Sequence, residues 1–272
     1  PPMDSPIQST KNPMIRRIRA AAQGEVSGLM VAEGRRLVRE ALSARHPIVE
    51  VAWSPKLQAA EGGDAILAEL NAGASRGDYE MHECSDKVLA RLSLLSSHQG
   101  ISVVLRRPVY TFADLLGDGQ AAPLVVVAAG VRDPGNLGAL MRSSEAAGAT
   151  GMLVVDGSAD PYRDKALRGS SGSVFRLPIL AGLGVDTCIE RLRSADLRIL
   201  VAADVADARP CWDVDLGLPS ALVVGAEGTG VPNGFTDAAD ERIAVPLAES
   251  VDSLNVAVAA GVLLFEARRQ GR

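Results

Sequence analysis

The sequence predicts an α/β protein in two parts, a smaller N-terminal unit and a larger C-terminal unit built on a parallel sheet. Continuous Val, Leu and Ala runs such as PLVVVAAG, GMLVVDG, LRILVAAD and SALVVGAEG recur through the second half, the pattern of strands buried on both faces. Helical stretches separate those runs, as a layered α/β fold requires. Between the halves, RRPVYTFADLLGDGQAAP gathers Pro, Gly and polar residues without a strong period. Residues 1–107, 108–121 and 122–272 are therefore expected as first domain, linker and second domain. A chain of 272 residues with 47% apolar content can bury both cores.

In the first unit the spacing predicts a helix at about 30–43, a strand at HPIVEVAWS and a helix near 64–72. A strand at DYEMHE, a helix near 85–92 and a strand at ISVVLRR follow. The second unit opens with the strand PLVVVAAG, a helix across LGALMRSSEAAG, a strand at GMLVVDG and a helix near 186–195. Strands at LRILVAAD and SALVVGAEG, a short one at RIAVP and a closing helix at DSLNVAVAAGVLLFEARRQ complete it. GSSGS at 169–173 does not fit GxSxG, and none of the three histidines lies in that half, so it reads as a helix-ending turn.

Composition excludes several classes. No run of about 18 apolar residues occurs, and PPMDSPIQSTKNP lacks the order of a secretory signal, so a cytoplasmic location and no membrane partner are expected. The three cysteines are far apart and form no CxxC pair, and the histidines show no HExxH spacing, so no metal is expected. Net charge is −5, yet residues 11–45 hold eight basic side chains against three acidic ones. Seven of the eight are arginines, the residue suited to bidentate phosphate contact, which points to RNA or DNA.

Parallel α/β sheets bind ligands at the carboxyl ends of their strands. Three polar or Gly-rich turns stand there: VRDPGNLGALMR, GAEGTGVP and LAESVDSLN. The first places Arg132, Asp133, Asn136 and Arg142 within a dozen residues, more polar chemistry than a connection needs. It is not a P-loop, which needs Lys and a hydroxyl after its second glycine, and GAEGTG spaces its glycines wrongly for a dinucleotide fingerprint. What remains is a glycine-lined pocket with Glu227, Ser253 and Asn255, suited to a small polar ligand with a flat ring.

DPGNLGALMRSSEAAGA, LVVGAEGTGVP and VPLAESVDSLNVAVAAGVLLFEA closely resemble, in order, motifs 1, 2 and 3 of the SpoU or TrmH-type RNA ribose 2'-O-methyltransferases of the SPOUT superfamily. The likeness spans roughly 122–268, and MVAEGRRLVREAL with SSHQGISVVLRR resembles the family's N-terminal substrate-binding domain. It implies a SPOUT domain with a deep trefoil knot, which general rules of chain connection would not predict. It also implies a homodimer through the C-terminal domain and S-adenosylmethionine as cofactor, held largely by backbone groups at Gly225, Val245 and Leu254.

By the same resemblance Arg142 is the catalytic arginine, Asn136 and Ser253 position it and the target nucleotide, and Glu227 and Asn255 are the polar members of motifs 2 and 3. A guanidinium with a pKa above about 12 is a poor base, so Arg142 either has its basicity altered by substrate phosphate or orients and stabilises the alkoxide. Arg168 falls where the family carries a basic residue near substrate phosphate, and Arg16, Arg17, Arg35 and Arg36 are the N-terminal RNA-binding candidates. Ribosomal RNA, 23S in particular, is favoured over tRNA because of the separate N-terminal domain. A tRNA 2'-O-methyltransferase and a noncatalytic RNA-binding module on the same fold are the alternatives. With 3% aromatic residues, phosphate contacts and shape are expected to outweigh base stacking.

Overall fold

The structure, a computed structural model, describes residues 5–203, 207–217, 219–226 and 228–271. These fall into two compact units, one of residues up to 108 together with 162–167, the other of 109–161 together with 168 onward.

The first unit holds α1 (Pro13–Gln23), β1 (Leu29–Glu33), α2 (Arg35–Ser43), β2 (Ile48–Trp53), α3 (Pro55–Gln58), α4 (Gly63–Ser75), β3 (Glu80–Glu83), α5 (Asp86–Leu92) and β4 (Ile101–Arg106). Its sheet runs β1-β4-β2-β3, with β4 antiparallel to both neighbours and β2 parallel to β3. Asn12 starts α1 by accepting Met14 N–H on Oδ1 at 2.9 Å, Pro13 takes the first position and Gly24 ends it at φ 70°. Ile15, Ile18 and Ala21, on one face of α1, join a core with Val88, Leu89 and Val104. The single helix expected over 30–43 is instead β1 followed by α2. Gly34 at φ 88° breaks it, a conformation L side chains rarely adopt.

The second unit contains β5 (Leu124–Ala129), α6 (Pro134–Ala147), β6 (Gly151–Val155), α7 (Asp164–Ser170), β7 (Ile179–Leu183), α8 (Val185–Ser194) and β8 (Arg198–Ala202). The first turn of α7 belongs to the first unit's residues. After β8 come β9 (Arg209–Pro210), β10 (Ser220–Gly225), α9 (Asn233–Asp237), β11 (Glu241–Ala244) and α10 (Val256–Gln270). The expected parallel sheet is present: seven strands in the order β7-β6-β5-β10-β8-β11-β9, every pair parallel.

Alternation decides what each face of that sheet buries. Val125, Val127, Ala129, Ile199, Val201, Ala221 and Val223 pack with Cys188 and Leu192 of α8 and Phe235 of α9. The intervening residues point to the opposite side, where α6 and α10 pack on each other. Leu115 in the 3-10 turn Ala113–Leu116 is fully buried in this core, so the stretch expected as linker is in part structural. The helix read from residue 252 begins only at Val256, and GSSGS does end a helix, with Ser171 at φ 50° and Gly172 at φ 96°. The three cysteines are free and buried, with burial raising Cys84 to about 12 and Cys188 to about 11. Among the described residues no helix is long and apolar enough to cross a membrane.

Candidate active site

Parallel strands deliver three of the predicted turns to one end of the second unit. Asp133 follows β5 and caps α6, its Oδ1 accepting Asn136 N–H at 2.9 Å. This acid therefore serves the helix start that carries Asn136. Asn255 does the same for α10, its Oδ1 accepting from Ala257 N–H at 3.0 Å and Val258 N–H at 3.4 Å. Its Nδ2 donates to Asn136 Oδ1 at 2.9 Å. The two cap bonds fix which end of the Asn255 amide faces α6, and the contact in turn fixes which end of the Asn136 amide faces Asn255.

Arg142 lies further along α6. It is exposed and makes no hydrogen bond or ion pair with any described residue. Arg132 and Ser253 are also exposed. Glu227 lies outside the described residues.

Next to this network is a cavity of about 640 Å³. Gly225, Val245 and Leu254 are in its walls, together with Thr229, Asn233 and Ser253. Gly225 sits so close to the returning loop that a Cβ there would fall 2.2 Å from the Gly230 carbonyl carbon. Ala226 and Gly230 exchange backbone hydrogen bonds of 3.0 Å, which holds the loop shut. Apolar side chains and main chain make up most of the walls, Arg242 is the one basic side chain in them among the described residues, too few for a phosphate site, and the volume is that of a small-molecule site.

Of the N-terminal arginine candidates, Arg16, Arg17 and Arg36 are exposed. Arg35 donates to the Glu61 carbonyl at 2.7 Å, and its backbone N–H donates to Gln99 Oε1 at 3.0 Å. Arg17 is committed inside its own unit: its guanidinium lies 2.7 Å from Glu50, whose side chain is 2% exposed. Arg168 is exposed in the last turn of α7. Among the described residues Glu50, Glu80 and His82 could bring metal-ligand atoms within 4.8 Å of one another, but the Arg17 cation already occupies that acid.

The model of the SpoU rRNA Methylase family matches residues 123–265, and that of the MRM3-like substrate binding domain matches 12–102. The chain belongs to the SpoU rRNA methylase family. Solved relatives of this SpoU methylase include the AdoMet-bound rRNA methyltransferase of Sinorhizobium meliloti, 29% identical with a TM-score of 0.83 over 97% of each chain. Two similar sequences are the 23S rRNA (guanosine-2'-O-)-methyltransferase RlmB of Burkholderia sp, 34% identical over 66% of this chain and 75% of that one, and the 23S rRNA (guanosine(2553)-2'-O)-methyltransferase RlmP of Bacillus subtilis, 26% identical over 96% and 98%. The SpoU methylase is an S-adenosylmethionine-dependent RNA methyltransferase. The apolar cavity beside the Asn136–Asn255 contact fits that cofactor, which has a flat purine and no phosphate.

Sequence reasoning reached Asn136 and Asn255 but missed that they touch. It also missed Asp207 and Arg242, which line the cavity. Both lie outside the three motifs, and only the folding of β11 beside β8 brings them to it.

Proposed function

We propose that the enzyme methylates a ribose 2'-hydroxyl in ribosomal RNA, 23S rRNA being the substrate, with Arg142, Asn136, Ser253, Glu227 and Asn255 as the catalytic group. The observation that carries this reading is the hydrogen bond between Asn255 and Asn136, which links motif 3, whose Ser253 and Leu254 line the cavity, to the helix bearing Arg142. The names of the two 23S rRNA relatives support the choice of RNA and of the 2'-oxygen.

When bound, the cofactor supplies an electrophilic methyl on a sulfonium. Gly225, Val245 and Leu254 hold its adenosyl part through main chain and apolar contact. Arg142 has no described acidic partner, so its donors are available to the ribose oxygen and an adjoining phosphate. It orients the hydroxyl and stabilises the developing alkoxide while the proton passes to water, a role that needs no loss of its own charge. Asn136 and Ser253 hold the nucleotide.

Arg16, Arg35, Arg36 and Arg168 contact RNA phosphates, whereas Arg17 serves mainly to hold α1 on its sheet. The reading includes the deep trefoil knot and the homodimer that the family resemblance implies. Support for the dimer comes from α10, whose inner face is buried while Val258, Val262 and Phe265 stand 54%, 40% and 50% exposed along one stripe.

The test is transfer of labelled methyl to separate pools of unmodified ribosomal RNA and tRNA, with Arg142→Ala alongside. Label in 23S rRNA at one nucleotide, resistant to alkaline cleavage there and lost in the variant, is the expected result. Label in tRNA alone would overturn the substrate. Cofactor binding without label in any pool would redirect the search to an assembly intermediate.

A further inference from the structure

Asp207 and Arg242 are the only charged side chains in the cavity wall among the described residues. They form an ion pair with each other, through Arg242 Nη1 and Asp207 Oδ2, and Arg242 Nη2 donates to the Thr236 carbonyl at 3.2 Å. Arg242 comes from β11 and Asp207 from the loop after β8. The sheet order places these strands two to three spacings from β5, the strand that leads into Asn136 and Arg142, on the order of 10–15 Å away. The pair therefore stands at the side of the cavity remote from Asn136 and Arg142. Beside the pair, on and just after the same strands, Ala202, Ala203, Ile243 and Ala244 give that end of the cavity an apolar wall, and Val224 and Gly225 of β10 stand between it and β5, a lining that suits a flat ring better than a zwitterionic tail.

We infer that Asp207 and Arg242 read the hydrogen-bonding edge of the cofactor's adenine, Asp207 accepting from the 6-amino group and Arg242 donating to the ring nitrogen beside it. Adenine presents a donor next to an acceptor on that edge, and the pair presents an acceptor next to a donor. A 6-oxo purine would set its oxygen against the Asp207 carboxylate. Asp207 Oδ2 is engaged by Arg242, which leaves Oδ1 for the base. The pair adds charged side-chain selection to a pocket otherwise built of main chain, apolar groups and a few neutral polar side chains. In the empty site it stays internally neutral, so neither charge is left unpaired before the ligand arrives. The inference rests on the proposed orientation, with the methyl group toward Arg142.

The test is the affinity of the full chain for S-adenosylhomocysteine, S-inosylhomocysteine and methylthioadenosine, in the wild type and in Asp207→Ala. The wild type is expected to bind the inosyl compound about tenfold or more weakly than the adenosyl one, the effect of one charged hydrogen bond. Asp207→Ala should weaken the adenosyl compound and methylthioadenosine by the same factor of about ten and narrow the gap to the inosyl compound. Asp207→Asn, which keeps the side chain's shape should the alanine variant not fold, brings an amide donor to the 6-oxo group and should shift preference toward the inosyl ligand. A loss seen with S-adenosylhomocysteine and absent with methylthioadenosine would assign the pair to the amino-acid tail and overturn the inference. Equal losses on adenosyl and inosyl ligands, or none, would leave the pair a structural tie and overturn it too. If the wild type bound none of the three, the cofactor assignment of the cavity would itself be wrong.

Discussion

Arg16 and Arg17 are neighbours in sequence and identical in charge, yet they have different work. Both are exposed, but the Arg17 guanidinium neutralises the buried Glu50, which also has His82 Nε2 at 3.3 Å. Arg16→Ala is expected to leave the melting temperature unchanged and to lower the slope of RNA affinity against salt by about one, measured by filter binding over a salt series. Arg17→Ala should instead destabilise the fold by on the order of 2 kcal/mol, because it strands a buried carboxylate, and urea unfolding would show it. Asn255 allows a similar separation of roles. Asn255→Asp retains the oxygen that caps α10, so stability should hold within about 0.5 kcal/mol. It loses the donor to Asn136 and sets a carboxylate against that residue's Oδ1, so methyl transfer should fall at least about tenfold while cofactor affinity is kept. An equal fall in stability and activity would count against a positioning role. The likeness to the family's motifs made both asparagines legible as candidate site residues. Their contact was not legible, because it depends on where α10 begins, and that start is set by the cap itself.

Elements with a strong period and a clear stop were read correctly, such as β5, α6, β6 and β10. The region around Gly34 was not, because LMVAEGRRLVREAL keeps an apolar spacing that a helix could also use, and only the positive φ of Gly34 separates β1 from α2. Short elements held by tertiary contacts, including β9 and α9, carry too few residues for a periodic signal. Asp240 shows how such joints are fastened. Its carboxylate accepts from Arg193 Nη1 at 2.6 Å and from Ile199 N–H at 2.7 Å, while Arg193 Nη2 donates to the Ala238 carbonyl at 2.7 Å, tying the end of α8 to the start of β8. The Arg193 hydrogen bond, with help from Ile199 N–H, holds the Asp240 carboxyl below its usual value of 3.8. A carboxyl that ionises at lower pH in the folded state stabilises fully above its unfolded value and loses that contribution as pH falls through the folded one. Asp240→Asn should thus lower stability by about 1 kcal/mol near neutral pH, a figure reduced for the partial exposure of the pair. In thermal unfolding the variant and wild type should begin to converge as pH falls below 3.8 and meet only once it has passed the lower value of the folded carboxyl. A difference that persists unchanged into acid would show that the carboxylate's charge is not what fastens the joint.

At the scale of the molecule, α10 is the element that a lone chain leaves unfinished. Val256, Ala260, Leu263, Leu264 and Ala267 are buried against the second unit, and the stripe of Val258, Val262 and Phe265 gives the helix a second apolar face. A helix apolar on both sides belongs in an interior, and a second copy of the chain provides one symmetrically. On the proposal that a second copy covers this stripe, the protein sediments as a dimer and Val262→Asp shifts it to monomer, because the interface would bury two carboxylates across the symmetry axis without partners; a wild type that sediments as a monomer would overturn the proposal. The same helix begins at Asn255, so loss of the dimer is also expected to reduce methyl transfer. If each site combines the cofactor cavity of one protomer with groups of the other, co-expressing Arg142→Ala with a variant disabled in the cavity should recover part of the activity. A site complete within one chain predicts no recovery in verified heterodimers, and in that case the exposed stripe on α10 would serve assembly alone.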